Sequence, residues 1–169
     1  VTLATPAGSY DKYSITVSAG KETMEAKDVM IGEVWLCSGQ SNMAWTVSKT
    51  HDLREEMNAA SELAAGLRIY STGRISFETP QNDVSGAKWQ VCTPETVSGF
   101  SAVGYGFGLE IQKALDVPVG LIQAAYGGTP LEGWVSPDAI TNGDKAYYLQ
   151  KSVRSLAKRK TKWAGKESH

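Results

Sequence analysis

Gly32-Glu-Val-Trp-Leu-Cys-Ser-Gly-Gln-Ser-Asn-Met43 is the stretch on which the reading of this chain turns. Val34-Trp35-Leu36-Cys37 is an unbroken apolar run, which suits a strand buried on both faces of a parallel sheet. Gly39 permits a tight turn directly after it, and a serine follows at position 41. In open α/β sheets ligands bind beyond the carboxyl ends of the strands, so Ser41 is expected at a crevice rather than in the core. If a helical turn follows, its first N–H groups can stabilise negative charge. A hydroxyl nucleophile beside such donors is what acyl transfer requires. On residue types alone, a plain polar turn that happens to contain serine reads the same way.

Working outward, Tyr13 to Ser18 and Thr23 to Asp28 alternate polar and apolar residues around a Gly20-Lys21 turn, which predicts a β hairpin. Asp52 with Glu55 three residues on reads as a capping box, and the apolar spacing from Leu53 to Leu67 is helical. Leu67 to Tyr70 reads as a short strand. Residues 71 to 100 are rich in Ser, Thr, Pro, Gly and Asn and read as a long surface loop. Ser101 is placed to cap a helix from Ala102 to about Leu115, stopped by Asp116-Val117-Pro118. Val119 to Ala125 is a second buried strand, broken by Gly127-Gly128. Strand, helix, strand, helix, strand argues for an α/β sandwich around a parallel sheet. Eight of the seventeen Lys and Arg lie between Lys145 and Lys166, on an amphipathic helix carrying Leu149, Val153, Leu156 and Trp163 on one face. That helix suits either an anionic partner or a solvated position on the domain. The expected organisation is residues 1–30 as a piece of a β domain, 31–143 as part of an α/β domain, and 144–169 as the basic helix opening a further segment.

With 41% hydrophobic and 21% charged residues, the 169-residue chain is neither disordered nor low in complexity, and it suffices for about one domain. Seventeen basic against eighteen acidic residues leave a net charge of -1, so no nucleic-acid partner is expected. No apolar run approaches the roughly 18 residues of a membrane span. No membrane partner is expected either. Cys37 and Cys92 read as buried small hydrophobes rather than a bridge. With only two histidines beside them, a Cys/His zinc site is excluded, and no metal or cofactor is expected.

The serine segment is not a Gly-x-Ser-x-Gly elbow, because Met43 stands where the second glycine belongs. Gly32 to Met43 instead resembles the nucleophile block of the sialate O-acetylesterase family. These are SGNH-type carbohydrate esterases related to the acetylxylan esterases of carbohydrate esterase family six. Val91-Cys-Thr-Pro-Glu-Thr-Val-Ser-Gly-Phe-Ser-Ala-Val-Gly-Tyr105 is similar to that family's second block. Val117-Pro-Val-Gly-Leu-Ile-Gln-Ala-Ala-Tyr-Gly-Gly-Thr-Pro-Leu-Glu-Gly-Trp134 is similar to its Gly-Gly-Thr block. The resemblance runs from Ser14 to Ile140 and weakens beyond. It implies a three-layer SGNH-hydrolase-like sandwich, here incomplete. Ser41 would be the nucleophile, with its own N–H in the oxyanion hole, and Gly104 would add a second backbone donor. Gln40, Asn42, Gly127, Gly128 and Thr129 would line the substrate side. An acetylated sugar or polysaccharide would be the substrate, and the location extracytoplasmic: secreted, periplasmic or lysosomal. Helix packing is the other reading of Gly104, Gly106 and Gly108, and a plain turn the other reading of Gly127 to Thr129. Trp45 and Trp134 suit sugar stacking or a place in the core or rim.

Such an esterase needs a histidine to take the serine proton and an acid to orient it. The family's Asp-x-x-His pattern does not occur in this sequence, nor does its Gln-Gly-Glu block. His51, next to Asp52 at an expected helix start, is better placed for solvent, and His169 is the last residue. The chain also opens on Val1, with a hairpin lacking partner strands. The expectation is therefore an internal part of a larger esterase, whose Asp and His come from the remainder of the same polypeptide or a second chain. The competing expectation is a noncatalytic carbohydrate-binding or interaction module that kept the fold.

Overall fold

The computed structural model describes residues 4–52, 55, 65–73, 81–84, 86–136 and 139. The chain divides into two compact units, Val1–Gly127 and Gly128–His169. The first unit holds both sheets. The architecture is mixed α/β.

The predicted hairpin forms. β1 (Ser9–Ala19) pairs antiparallel with β2 (Glu22–Ile31), with Ala19 opposite Glu22. Gly20 at φ +62 supplies the left-handed conformation that so short a connection needs. Asp28 ties the hairpin to the rest of the unit: Lys12 Nζ approaches its carboxylate at 2.8 Å and Arg68 Nη2 at 3.1 Å. The Lys12 hydrogen bond, followed by the charges of both cations, holds the Asp28 carboxyl below the usual carboxylate range.

β3 (Glu33–Gly39), β4 (Leu67–Ser71), β5 (Gln90–Val91) and β6 (Val119–Ala125) form a second sheet in the order β3-β6-β4-β5. β6 runs parallel to both β3 and β4, and β5 closes the edge antiparallel to β4. Gly39 lies opposite Ala125, so β3 and β6 end level at the same end of the sheet. That end carries the loops after both strands.

The apolar run in β3 was expected to be buried on both faces. It is not. β3 is an edge strand, and Val34, Trp35 and Leu36 are 62%, 40% and 65% exposed, leaving Cys37 as its buried residue. β6, flanked on both sides, alternates buried and half-buried residues along its whole length. The loop expected over residues 71 to 100 also contains more order than its composition suggested. Besides β5 it holds a one-turn helix, α1 (Pro94–Val97), opened by a reciprocal cap. Thr93 Oγ1 accepts the Thr96 N–H at 3.2 Å, while the Thr93 N–H donates to Thr96 Oγ1 at 2.8 Å.

α2 (Ala102–Leu115) starts and stops where its signals lie, with Ser101 as N-cap and Asp116 turning left-handed at φ +50. It packs over β6 and β4, and Tyr105, Leu67, Ile69, Val119 and Leu121 join Val47 in the core beneath it. Its glycines serve that contact unequally. A Cβ on Gly108 would stand 2.6 Å from Leu121 Cδ1, and one on Gly104 would stand 3.1 Å from Cys37 Sγ. Gly106 faces open space. The helix expected from Leu53 falls largely on residues 53–54 and 56–64, which lie outside the described residues, and Leu67 belongs to β4 instead. The basic helix expected after residue 144 also lies outside them.

Candidate functional site

The site begins where β3 stops. Gly39 has φ +150, a backbone conformation that strains any residue with a side chain, and a Cβ there would press on Met43 Cβ at 3.2 Å. The chain turns at once. The Ala44 N–H donates to the Gln40 carbonyl at 2.8 Å, and the Trp45 N–H to that of Asn42 at 3.3 Å. Gln40, Ser41 and Asn42 are thereby held exposed beyond the sheet end. The Ser41 hydroxyl donates to Gln40 Oε1 at 2.8 Å, and the Ser41 N–H donates to the same oxygen at 3.0 Å.

β6 delivers the facing wall. The Tyr126 N–H donates to the Gly39 carbonyl at 3.1 Å, extending the strand pairing one residue past the sheet. Gly127 then passes so close that a Cβ on it would lie 3.3 Å from Ser41 Oγ. Of the residues expected beside Ser41, Gly127 is thus brought to it. Gly128 and Thr129 open the second unit, where Gly128 is left-handed at φ +80 and Thr129 Oγ1 accepts the Trp134 indole N–H at 2.8 Å.

Gly104 requires a correction. Its N–H was expected to serve the oxyanion hole as a second backbone donor. It is buried and donates to Ser101 Oγ at 3.0 Å. Gly104 stands at the third helical position, where the side chain of an N-cap serine reaches by its ordinary geometry. The glycine lets α2 approach Cys37 and Ser101, which is the packing role.

Below the turn, the strip after Ser41 lies against the strip before α2. Val47 N–H donates to Phe100 O at 3.0 Å, Ser48 N–H to Ser98 O at 3.0 Å, and Ala102 N–H to Trp45 O at 2.8 Å. The buried Ser101 joins three elements there. Its N–H donates to Gln123 Oε1 at 2.9 Å, its hydroxyl donates to Met43 Sδ at 3.2 Å, and it caps α2. Gln123 was not singled out in the sequence, although an amide inside an apolar strand is itself a signal of a buried hydrogen bond. Trp45 is 50% exposed, with the Lys49 ammonium 5.1 Å from its ring centroid. His51 and Asp52 are exposed. Cys37 and Cys92 are buried and unpaired, and burial raises both thiols, that of Cys92 to about 11.

The family model of the carbohydrate esterases described as sialic acid-specific acetylesterases matches residues 31–164. The chain belongs to that family. This acetylesterase-family chain is 36% identical over 121 residues to the sialate O-acetylesterase of Homo sapiens, covering 68% of this chain and 23% of that protein. It is 33% identical over 132 residues to the sialate O-acetylesterase of Rattus norvegicus, covering 74% of this chain and 24% of the relative. It therefore spans about a quarter of the length of the curated relatives it matches. The crystal structure of a carbohydrate acetylesterase from Xanthomonas citri superposes with a TM-score of 0.70 at 32% identity, covering 79% of this chain and 30% of that one. The family match begins at β3's threshold and leaves the hairpin outside it. Among the described residues of this acetylesterase-family chain, no helix is long and apolar enough to cross a membrane.

Proposed function

We propose that this chain supplies the nucleophile of a serine-dependent carbohydrate O-acetylesterase, acting on acetylated sialic acid or an acetylated polysaccharide. Ser41 Oγ attacks the acetyl carbonyl carbon, and the Ser41 N–H stabilises the oxyanion that forms. The sugar hydroxyl leaves, and water then hydrolyses the acetyl-enzyme to acetate. An Asp-oriented histidine takes the serine proton and returns it to the leaving alcohol. That pair comes from the remainder of a longer polypeptide or from a second chain, and the parallel sheet is the start of a three-layer sandwich completed with it. Gln40, Asn42 and Gly127 line the acyl end of the cleft.

The observation that carries this reading is the exposed Ser41 hydroxyl at the carboxyl end of β3, with the side-chain-free backbone of Gly127 against it. The test is p-nitrophenyl acetate hydrolysis by this chain beside its Ser41→Ala variant. The chain alone should be no faster than the variant, whereas the complete enzyme should lose its turnover on the same substitution. A clear Ser41-dependent rate from the 169 residues alone would overturn the assignment of the base to another segment.

A further inference from the structure

One row of residues crosses the second sheet near the start of its parallel strands. Val34 of β3, Gly120 of β6, Arg68 of β4 and Val91 of β5 are successive partners in it. Alternation along β6 points this row away from α2, because α2 packs on the next residue, Leu121. Gly120 leaves a gap in the row, and Trp89 reaches into it. A Cβ on Gly120 would stand 3.1 Å from Trp89 Cη2 and 3.3 Å from its Cζ3. Tyr70 packs against the same indole, with the ring centroids 5.3 Å apart. The indole is nevertheless 47% exposed, and it borders a cavity of about 630 Å³ between the sheet and β2. That volume lies within the roughly 300–1,000 Å³ of small-molecule sites.

The charges around this cavity are already matched. Between the pairs Tyr13–Val29 and Ile15–Ala26 the hairpin register slips by one residue, a bulge in β2 that holds Lys27 and Asp28. Arg68 Nη2 donates to Asp28 Oδ2 at 3.1 Å, and Lys27 Nζ lies 3.2 Å from Glu25 Oε2. Arg68 Nη1 is committed further, donating to the Ala65 carbonyl at 2.8 Å and the Leu67 carbonyl at 3.2 Å. Both cations of the lining thus face carboxylates, and Glu33 adds another acid. An anionic ligand would meet cations that are already neutralised. A neutral sugar suits the lining better. Its C–H groups can lie on the indole, and its hydroxyls can donate to carboxylates and accept from N–H groups.

We propose that this cavity binds one neutral sugar residue of an oligosaccharide or polysaccharide, with Trp89 as the stacking platform. It lies at the start of β3 and Ser41 lies just beyond its end, a separation of roughly 20 Å at about 3.3 Å per residue. A single sugar cannot occupy both places, whereas a polymer can. Of the two substrates proposed above, the site therefore favours the acetylated polysaccharide, and this last step alone rests on the proposed acetylesterase activity.

The test is isothermal titration calorimetry of the complete enzyme with xylohexaose, an unacetylated neutral chain, and with a sialic acid hexamer of equal length. Xylohexaose should bind with a Kd below about 1 mM, and the sialic acid hexamer about tenfold or more weakly. Trp89→Ala and Trp89→Leu should weaken xylohexaose binding by about tenfold, while Trp89→Phe, which keeps a ring, should stay within about threefold of wild type. Xylohexaose should also shift the tryptophan emission of the wild type and not that of Trp89→Phe. If the complete enzyme takes up no xylohexaose, the proposal falls. Binding that ignores the alanine and leucine variants, or an emission shift that survives in Trp89→Phe, puts the sugar elsewhere and overturns it equally. Equal affinity for the sialic acid hexamer refutes the assignment to a neutral sugar. Circular dichroism separates lost binding from misfolding, and recovery in Trp89→Phe ties the effect to the ring. No ester is turned over in these measurements, so their failure leaves the assignment of Ser41 standing, and failure of the Ser41→Ala test leaves the cavity standing.

Discussion

Alanine at Gly106 and at Gly108 should move the stability of this chain in opposite directions, although the two positions are two residues apart on one helix. In a helix interior alanine is favoured over glycine by about 0.8–1.0 kcal/mol. At Gly106 nothing lies within 4 Å of the added methyl, so that gain is realised in full. At Gly108 the methyl would meet Leu121 Cδ1 at 2.6 Å and its Cγ and Cδ2 at 3.2 Å. Leu121 is 0% exposed, so its side chain has no solvent to swing into. Overpacking of this kind costs about 1–3 kcal/mol, which outweighs the propensity gain at all but its lower limit. The expected result is a rise in Tm of roughly 2–4 °C for Gly106→Ala and a comparable fall for Gly108→Ala. Gly104→Ala should fall between them, its methyl standing 3.1 Å from Cys37 Sγ and 3.3 Å from Ser101. Urea denaturation with unchanged m would confirm that the native state alone has shifted. Should Gly108→Ala prove as stabilising as Gly106→Ala, α2 does not bear on β6 as described, and the packing that sets the floor of the site is wrong.

Three further outcomes follow from single contacts. Gln123→Leu leaves the buried Ser101 N–H without its acceptor and should cost about 1–3 kcal/mol, read as a fall in the urea midpoint; a loss below about 0.5 kcal/mol would deny that bond its role. Asp28 has its folded pKa depressed, so its contribution is present above the unfolded value of about 4 and is lost as pH falls through the lower folded value. Asp28→Asn suits the left-handed backbone there at φ +56. Its stability should lie below wild type at pH 6, the gap closing below about pH 4 and shrinking in high salt; a gap independent of pH would refute the linkage. Cys37 and Cys92 are buried and their thiols are raised, that of Cys92 to about 11, so neither should react with a thiol reagent at pH 8 until the chain unfolds. Rapid native-state modification of either would contradict their burial.

Much of the fold was legible because its signals are local. Alternation around Gly20 gave the hairpin, and Ser101 with Asp116-Val117-Pro118 bounded α2 to the residue. Where reading failed, a local signal was outweighed or lay elsewhere. Thr93 with Pro94 at the first helical position announced α1, but the polar loop composition around it hid a one-turn helix. The apolarity of Val34 to Leu36 says that these side chains favour cover, and not which residues supply it. Edge or centre is decided by partners far away in sequence.

Two features of the site lie beyond a residue-by-residue reading, for different reasons. Ser101 was read correctly as a cap, and that reading already implies that the N–H of the third helical residue, Gly104, is engaged rather than free. The Gln40 contact is different in kind. Neighbouring side chains on an extended strand point to opposite faces and do not hydrogen-bond one another. They meet here because Gly39, at φ +150, ends the strand one residue earlier and folds Gln40 back over its neighbour. The glycine that leaves Ser41 exposed is therefore also the residue that brings the Gln40 amide oxygen to it, so the exposed turn and its hydrogen bonds have one origin.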